Sequence, residues 1–130
     1  MILLVQARGP GGSALNQLEG PTIPEYGGVG DPEKGYFAGL PGKIYAKVLM
    51  ELWTEITPTG TYWNPTRIVS DNRLAAFESD TSTYFFSMPL DRRADVKVTL
   101  LFRRAFRELM DQKGWNVADI LMEEATLTIP

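Results

Sequence analysis

The 130-residue chain contains neither cysteine nor histidine, and its 13 basic and 16 acidic side chains leave a net charge of −3. The missing thiol excludes a cysteine nucleophile, a thiolate zinc site, a disulfide and covalent c-type haem attachment. The missing imidazole excludes a Ser-His-Asp triad and histidine metal ligation. A mildly acidic total argues against sequence-independent nucleic-acid binding, and an apolar fraction of 44% fits one globular domain over residues 1–130.

The first seven residues, Met1 to Ala7, are apolar and extended in character and predict a strand. Ile2-Leu3-Leu4-Val5 is far too short to cross a bilayer and lacks the charged flank and long apolar run of a signal peptide. A chain that opens on a strand at its second residue, and closes on Thr126-Leu127-Thr128-Ile129-Pro130, is expected to be a domain taken from a longer protein, with Met1 as an added start.

Arg8 to Gly42 changes texture. It holds most of the glycines and five of the nine prolines, so little regular structure beyond a turn is expected, apart from one helical turn over Ser13–Leu18. Loops of this length commonly serve function or wrap a neighbour. The Gly27 to Gly35 run has neither the GxGxxG order nor a P-loop Lys-Ser/Thr ending, so it is read as a loop and not a phosphate cradle.

Lys43 to Trp53 alternates with period two and predicts a second strand. Thr57-Pro58-Thr59-Gly60 is a turn, and Arg67–Ser70 a short strand left through Asp71-Asn72-Arg73. Ser82–Met88 is a strand with Tyr84, Phe86 and Met88 on one face, and Pro89 to Asp95 a charged connection. The clearest strand is Asp95–Arg103, where Val96, Val98, Leu100 and Phe102 alternate with Lys97, Thr99, Leu101 and Arg103. A short helix follows over Arg104–Lys113, with Phe106, Leu109 and Met110 as its apolar stripe and Gly114 as its stop. Ile120–Ile129 closes the chain as a strand. Strands joined mostly without helices predict a mainly all-β fold. It is an antiparallel, immunoglobulin-like β-sandwich with one short helix and long Gly/Pro-rich loops, though without a Cys…Trp…Cys pattern.

Chemistry-bearing residues are few. Glu51, Glu55, Asp71, Asp80 and Asp119 supply carboxylates, but none stands in a context that predicts burial or a catalytic pair. Asp31 and Glu33 in the glycine loop, and Asp71 near Asp80, are oxygen donors without a calcium-loop pattern, so no metal and no cofactor is expected. Trp53, Tyr62 and Trp63 cluster about a turn, either as core or as a platform for a sugar or a partner. Arg67, Asp71 and Arg73 form the most suggestive polar set, because residues two apart in an extended chain share a side and Asp71 could bridge to either arginine. The basic residues Arg92, Arg93, Lys97, Arg103, Arg104, Arg107 and Lys113 crowd the last third, as a solvated face or as a patch for an acidic partner.

Two segments carry a resemblance. Asp71, Arg73 and Leu74 match a "D-x-R-L/I" corner, and Val96, Leu100, Phe102 and Arg103 match a "V-x-x-x-L-x-[YF]-R" strand that runs into a short helix. In this order, over about Leu40 to Ile129, the chain resembles the haem-free β-sandwich domain that follows the haem region in some extracytoplasmic multihaem c-type cytochromes. The family's CxxCH motifs are absent, so the resemblance carries no haem ligation or electron transfer onto any residue here. It implies an accessory, non-catalytic domain outside the cytoplasm. Its partner would be the rest of its own polypeptide or a partner subunit, with the 8–42 loops draped over that neighbour or holding a homo-oligomer together. The second expectation is a carbohydrate- or ligand-binding module using Trp53, Tyr62 and Trp63.

Overall fold

The computed structural model describes residues 1–130. Eight strands form in chain order: β1 (Ile2–Arg8), β2 (Gln17–Glu19), β3 (Gly42–Ile44), β4 (Lys47–Glu51), β5 (Thr66–Asp71), β6 (Phe85–Phe86), β7 (Ala94–Phe102) and β8 (Ile120–Ile129). A single α-helix, α1 (Arg107–Gln112), lies between β7 and β8. No helix is long and apolar enough to cross a membrane.

All pairings are antiparallel. One four-stranded sheet runs in the order β3-β1-β7-β8, and two ribbons, β2-β6 and β4-β5, stand apart from it. The β1–β7 register is uninterrupted from Ile2↔Leu101 to Arg8↔Asp95. Period-two alternation in both strands then sorts side chains onto two faces. Ile2 and Leu4 share one face with Leu101, while Leu3, Val5 and Ala7 share the other with Leu100, Val98 and Val96.

The Gly/Pro-rich segment covers the first face. Ile23 is its plug, 2% exposed, packed against Ile2, Leu4 and Ile44 with Tyr26, Phe37 and Leu40 around it. Burying such a side chain contributes about 1.5–3 kcal/mol. Beyond β2 and two short 3-10 turns, Glu25–Gly27 and Pro32–Lys34, the segment holds its shape by irregular backbone bonds, among them Ile23 N–H to Leu40 O at 2.9 Å and Gly39 N–H to Ile23 O at 2.8 Å. Gly42 is indispensable in that packing. Its φ is +156°, and a Cβ there would sit 2.1 Å from the Leu3 carbonyl oxygen. The stretch expected to drape over a neighbour thus packs on its own sheet.

Several elements differ from expectation. Ser13–Leu18 makes no helical turn; Ala14 bridges to Arg8 and Gln17–Glu19 pairs with β6. The Lys43–Trp53 strand breaks after Ile44, so β3 serves the main sheet and β4 a ribbon. Asn72 clamps that break, donating to Ile44 O at 2.7 Å and accepting from Ala46 N–H at 2.9 Å. The 82–88 strand shrinks to Phe85–Phe86. The helix begins three residues late because Phe106 stays extended, ψ 144°, where its ring meets Tyr26 edge-on at 5.6 Å. Its stop is as the sequence indicates: Gly114 has φ +64°, and Trp115 N–H returns to Met110 O at 2.8 Å.

Candidate functional site

The β4–β5 ribbon carries most of the residues singled out above. Its register runs from Lys47↔Asp71 to Glu51↔Thr66 and slips between Val48 and Leu49, which leaves Val69 as an extra residue on β5. That bulge breaks the period-two spacing that would have put Arg67 and Asp71 on one side. Arg67 reaches the Met50 sulfur, Nη2 to Sδ 3.9 Å, and makes no ion pair. Asp71 is held by Arg73 alone, in a two-pronged contact: Nε to Oδ1 2.8 Å and Nη2 to Oδ2 2.6 Å. The hydrogen bonds from Arg73 bring the Asp71 carboxyl down to about 2. The contact lies in open solvent and fixes a local corner where the strand ends.

The aromatic cluster is on the surface. Trp53 is 71% exposed, Tyr62 91% and Trp63 63%. Tyr62 and Trp63 meet edge-to-face with centroids 5.0 Å apart. Trp53 joins neither ring; it lies in the turn that follows β4, just past Glu51↔Thr66. Glu51 anchors the base of this end. It is 5% exposed, with Oε2 accepting from Thr54 Oγ1 at 2.6 Å and Oε1 from Asn64 Nδ2 at 2.7 Å. A buried carboxylate satisfied on both oxygens holds two turns in place.

The other carboxylates are likewise engaged in structure. Asp80 accepts from Lys43 and from the Tyr45 hydroxyl, the latter at 2.8 Å. These bonds lower the Asp80 carboxyl below its ordinary value, the lysine contributing most. Burial first, and the bond to Asp80 second, push the Tyr45 phenol up to about 12. Asp31 caps its own turn, accepting from Glu33 N–H at 3.0 Å. Glu55 is exposed at a left-handed backbone position, φ +57°. No three acidic side chains converge as cation ligands do.

The basic cluster divides. Arg92, Arg93, Lys97, Arg104 and Lys113 are exposed. Arg103 and Arg107 turn inward instead. Arg103, 6% exposed, donates to Gly27 O at 2.8 Å, to Gly35 O at 2.6 Å and to both oxygens of Asp119. Its guanidinium also lies over the Phe37 ring, 5.1 Å from the centroid. Arg107 lies over the Tyr36 ring at 4.4 Å, and the Tyr36 hydroxyl donates to Asp111 at 3.0 Å. Arg103 therefore sews the glycine loop to the end of β7, and Arg107 sews it to α1.

The second face of the sheet is only half covered. Leu3, Val5 and Ala7 with Val96 and Val98 floor an apolar groove of about 560 Å³, roofed on one side by Phe86. On the β8 side the floor runs out to Ala125 and Leu127, which lie across from Val98 and Val96. Leu127 is 64% exposed, and β8 as a whole is open to solvent on both faces. Sequence reasoning gave β8 its limits but not this exposure, because periodicity reports which side chains share a face and not whether anything lies over it. The Arg103–Asp119 and Asp80–Tyr45 contacts also escaped it, since partners 16 and 35 residues apart leave no local spacing to read.

No family model, curated protein or solved structure matches the chain.

Proposed function

We propose that this chain is a non-catalytic accessory domain whose work is to dock, through its uncovered apolar surface, onto the rest of a longer polypeptide or onto a partner subunit. One observation carries the reading. The chain exposes 8926 Å², whereas a compact monomer of 14.5 kDa is expected to expose roughly 6,900 Å². The excess is roughly 2,000 Å² on the same scaling, and the surface as a whole carries many large apolar side chains. Twenty-one of them are exposed, against ten buried hydrophobic residues. Contiguous apolar surface marks interaction sites, and here the groove floor runs on to the exposed Leu127 of β8.

The resemblance to the haem-free domain of extracytoplasmic multihaem cytochromes supplies the class of parent and the compartment. In that setting an immunoglobulin-like sandwich is the proposed architecture, with the four-stranded sheet as one layer and the ribbons plus the docked partner completing the second. The reading frame that surrounds the chain is the direct test of the parent. CxxCH repeats in the same polypeptide or in an adjacent subunit support it, and an encoded glycosidase or other non-haem partner overturns it.

A second reading is favoured by the exposure of Trp53, Tyr62 and Trp63, which is the condition a sugar platform requires. Tryptophan fluorescence titrated with a glycan panel separates the two. A saturable shift abolished in Trp63→Ala supports the ligand-binding module, and an unresponsive signal across the panel removes it.

A further inference from the structure

Resting on the docking reading, we propose that β8 is the seam at which two copies of this chain join, edge to edge and antiparallel, about a two-fold axis through Thr126. The main sheet has two edges. One is β3, three residues long and backed by the Asn72 clamp. The other is β8, ten residues long, paired to β7 on one side only. Long bare edges are normally blunted by charge, proline or a bulge. The first half of β8 has such devices: the register slips between Leu100 and Leu101, leaving Met122 as an extra residue, and Glu123 and Glu124 follow. The second half, Ala125–Ile129, has none.

Symmetry then selects the register. A two-fold axis perpendicular to a continuous sheet passes through a residue that faces its own copy, because directly opposed residues point to the same side. An axis at Glu123 or Glu124 opposes like carboxylates, which is unfavourable. At Ala125 the two Glu124 side chains become diagonal neighbours. At Thr126 both problems vanish: Thr126 meets Thr126, Ala125 meets Leu127, Glu124 meets Thr128 and Glu123 meets Ile129. Threonine pairs are favourable across strands, and Glu124 is already occupied by Lys97 at 2.9 Å. The overlap, Glu123 to Ile129, spans about 24 Å and stays clear of the bulge.

The same register extends the open face across the seam. Ala125 and Leu127 continue the groove floor on the side of Val98 and Val96, so pairing brings the two floors together into one apolar strip.

The chain's lack of cysteine makes the geometry directly testable. Opposed residues at the axis have Cα atoms about 4.5–5.5 Å apart, within disulfide reach. Copies of residue 123 would stand about 20 Å apart. Thr126→Cys is expected to form a covalent dimer under mild oxidation, at least tenfold faster than Glu123→Cys or the remote, fully exposed Leu90→Cys. Sedimentation equilibrium of the unmodified chain is expected to show a reversible dimer, weakened at least tenfold in Leu127→Asp, a position already open to solvent in one copy. A monomer at all concentrations, or equal cross-linking at 123 and 126, overturns the seam. A monomer that still binds an apolar dye on its open face would end self-pairing while leaving the docking reading intact.

Discussion

Arg103 grips Asp119 side-on, Nε 2.8 Å from Oδ1 and Nη2 2.6 Å from Oδ2, and spends its remaining donors on the carbonyls of Gly27 and Gly35. Three stretches of chain meet at that guanidinium: the end of the central strand, the glycine loop and the approach to β8. Only a planar fork with five donors satisfies all of them.

Arg103→Ala should therefore destabilise the fold by roughly 3–5 kcal/mol, the range for breaking a buried pair. Arg103→Lys should recover only part, because an ammonium cannot engage Asp119 through two parallel bonds. Urea unfolding measures both. Equal stability for Lys and Arg would show that the fork geometry is dispensable.

Ile23→Ala should cost about 2–5 kcal/mol, as for other fully buried aliphatic truncations. Gly42→Ala should also destabilise strongly, since its new methyl meets the Leu3 carbonyl at 2.1 Å and backbone must shift. Thermal melts of the two variants test whether the Gly/Pro segment is a structural lid. A melting temperature unchanged by Ile23→Ala would mean that it is not.

These side chains also mark how far the sequence was legible. Alternation in β7 announced the strand and both its faces, because each of its residues is sorted by a neighbouring strand. Ile23 announced nothing: it is buried through turns and backbone bonds that have no period. Arg67 and Asp71 looked paired because spacing alone was counted, and one bulge residue, Val69, undid the count. Arg103 was grouped with a solvated or partner-facing basic cluster, yet it turns inward, because the groups that receive it lie 68 and 76 residues earlier in the chain. Of the aromatic residues, Tyr62 and Trp63 meet while Trp53 joins neither ring, and their exposure depends on what the ribbon packs against.

Two titrations should depart from ordinary values. The Asp71 carboxyl, held down by Arg73, should titrate near 2 by carboxyl-carbon NMR and rise toward about 4 in Arg73→Ala. Its folded value lies below its unfolded one, so its small contribution to stability is present above about pH 4 and is lost as pH falls toward 2. The Tyr45 phenol behaves oppositely. Raised to about 12, it contributes stability that is whole below about pH 10 and is lost as pH rises through 12. Asp80→Asn should lower the Tyr45 midpoint; no movement would exclude the hydrogen bond as a cause.

Trp63→Ala should change stability by no more than about 0.5 kcal/mol, the usual range for an exposed position away from caps and buried networks. Acrylamide should quench Trp53 and Trp63 with little hindrance. A loss of several kcal/mol would instead return Trp63 to the core.

Binding of an apolar fluorescent dye to the dilute, monomeric chain tests the central claim most directly, with near-ultraviolet circular dichroism recorded on the same sample. The account predicts strong dye binding by a protein whose aromatic side chains keep a fixed, native signal, because the exposed surface belongs to the folded state. A well-packed monomer that leaves the dye dark would contradict it.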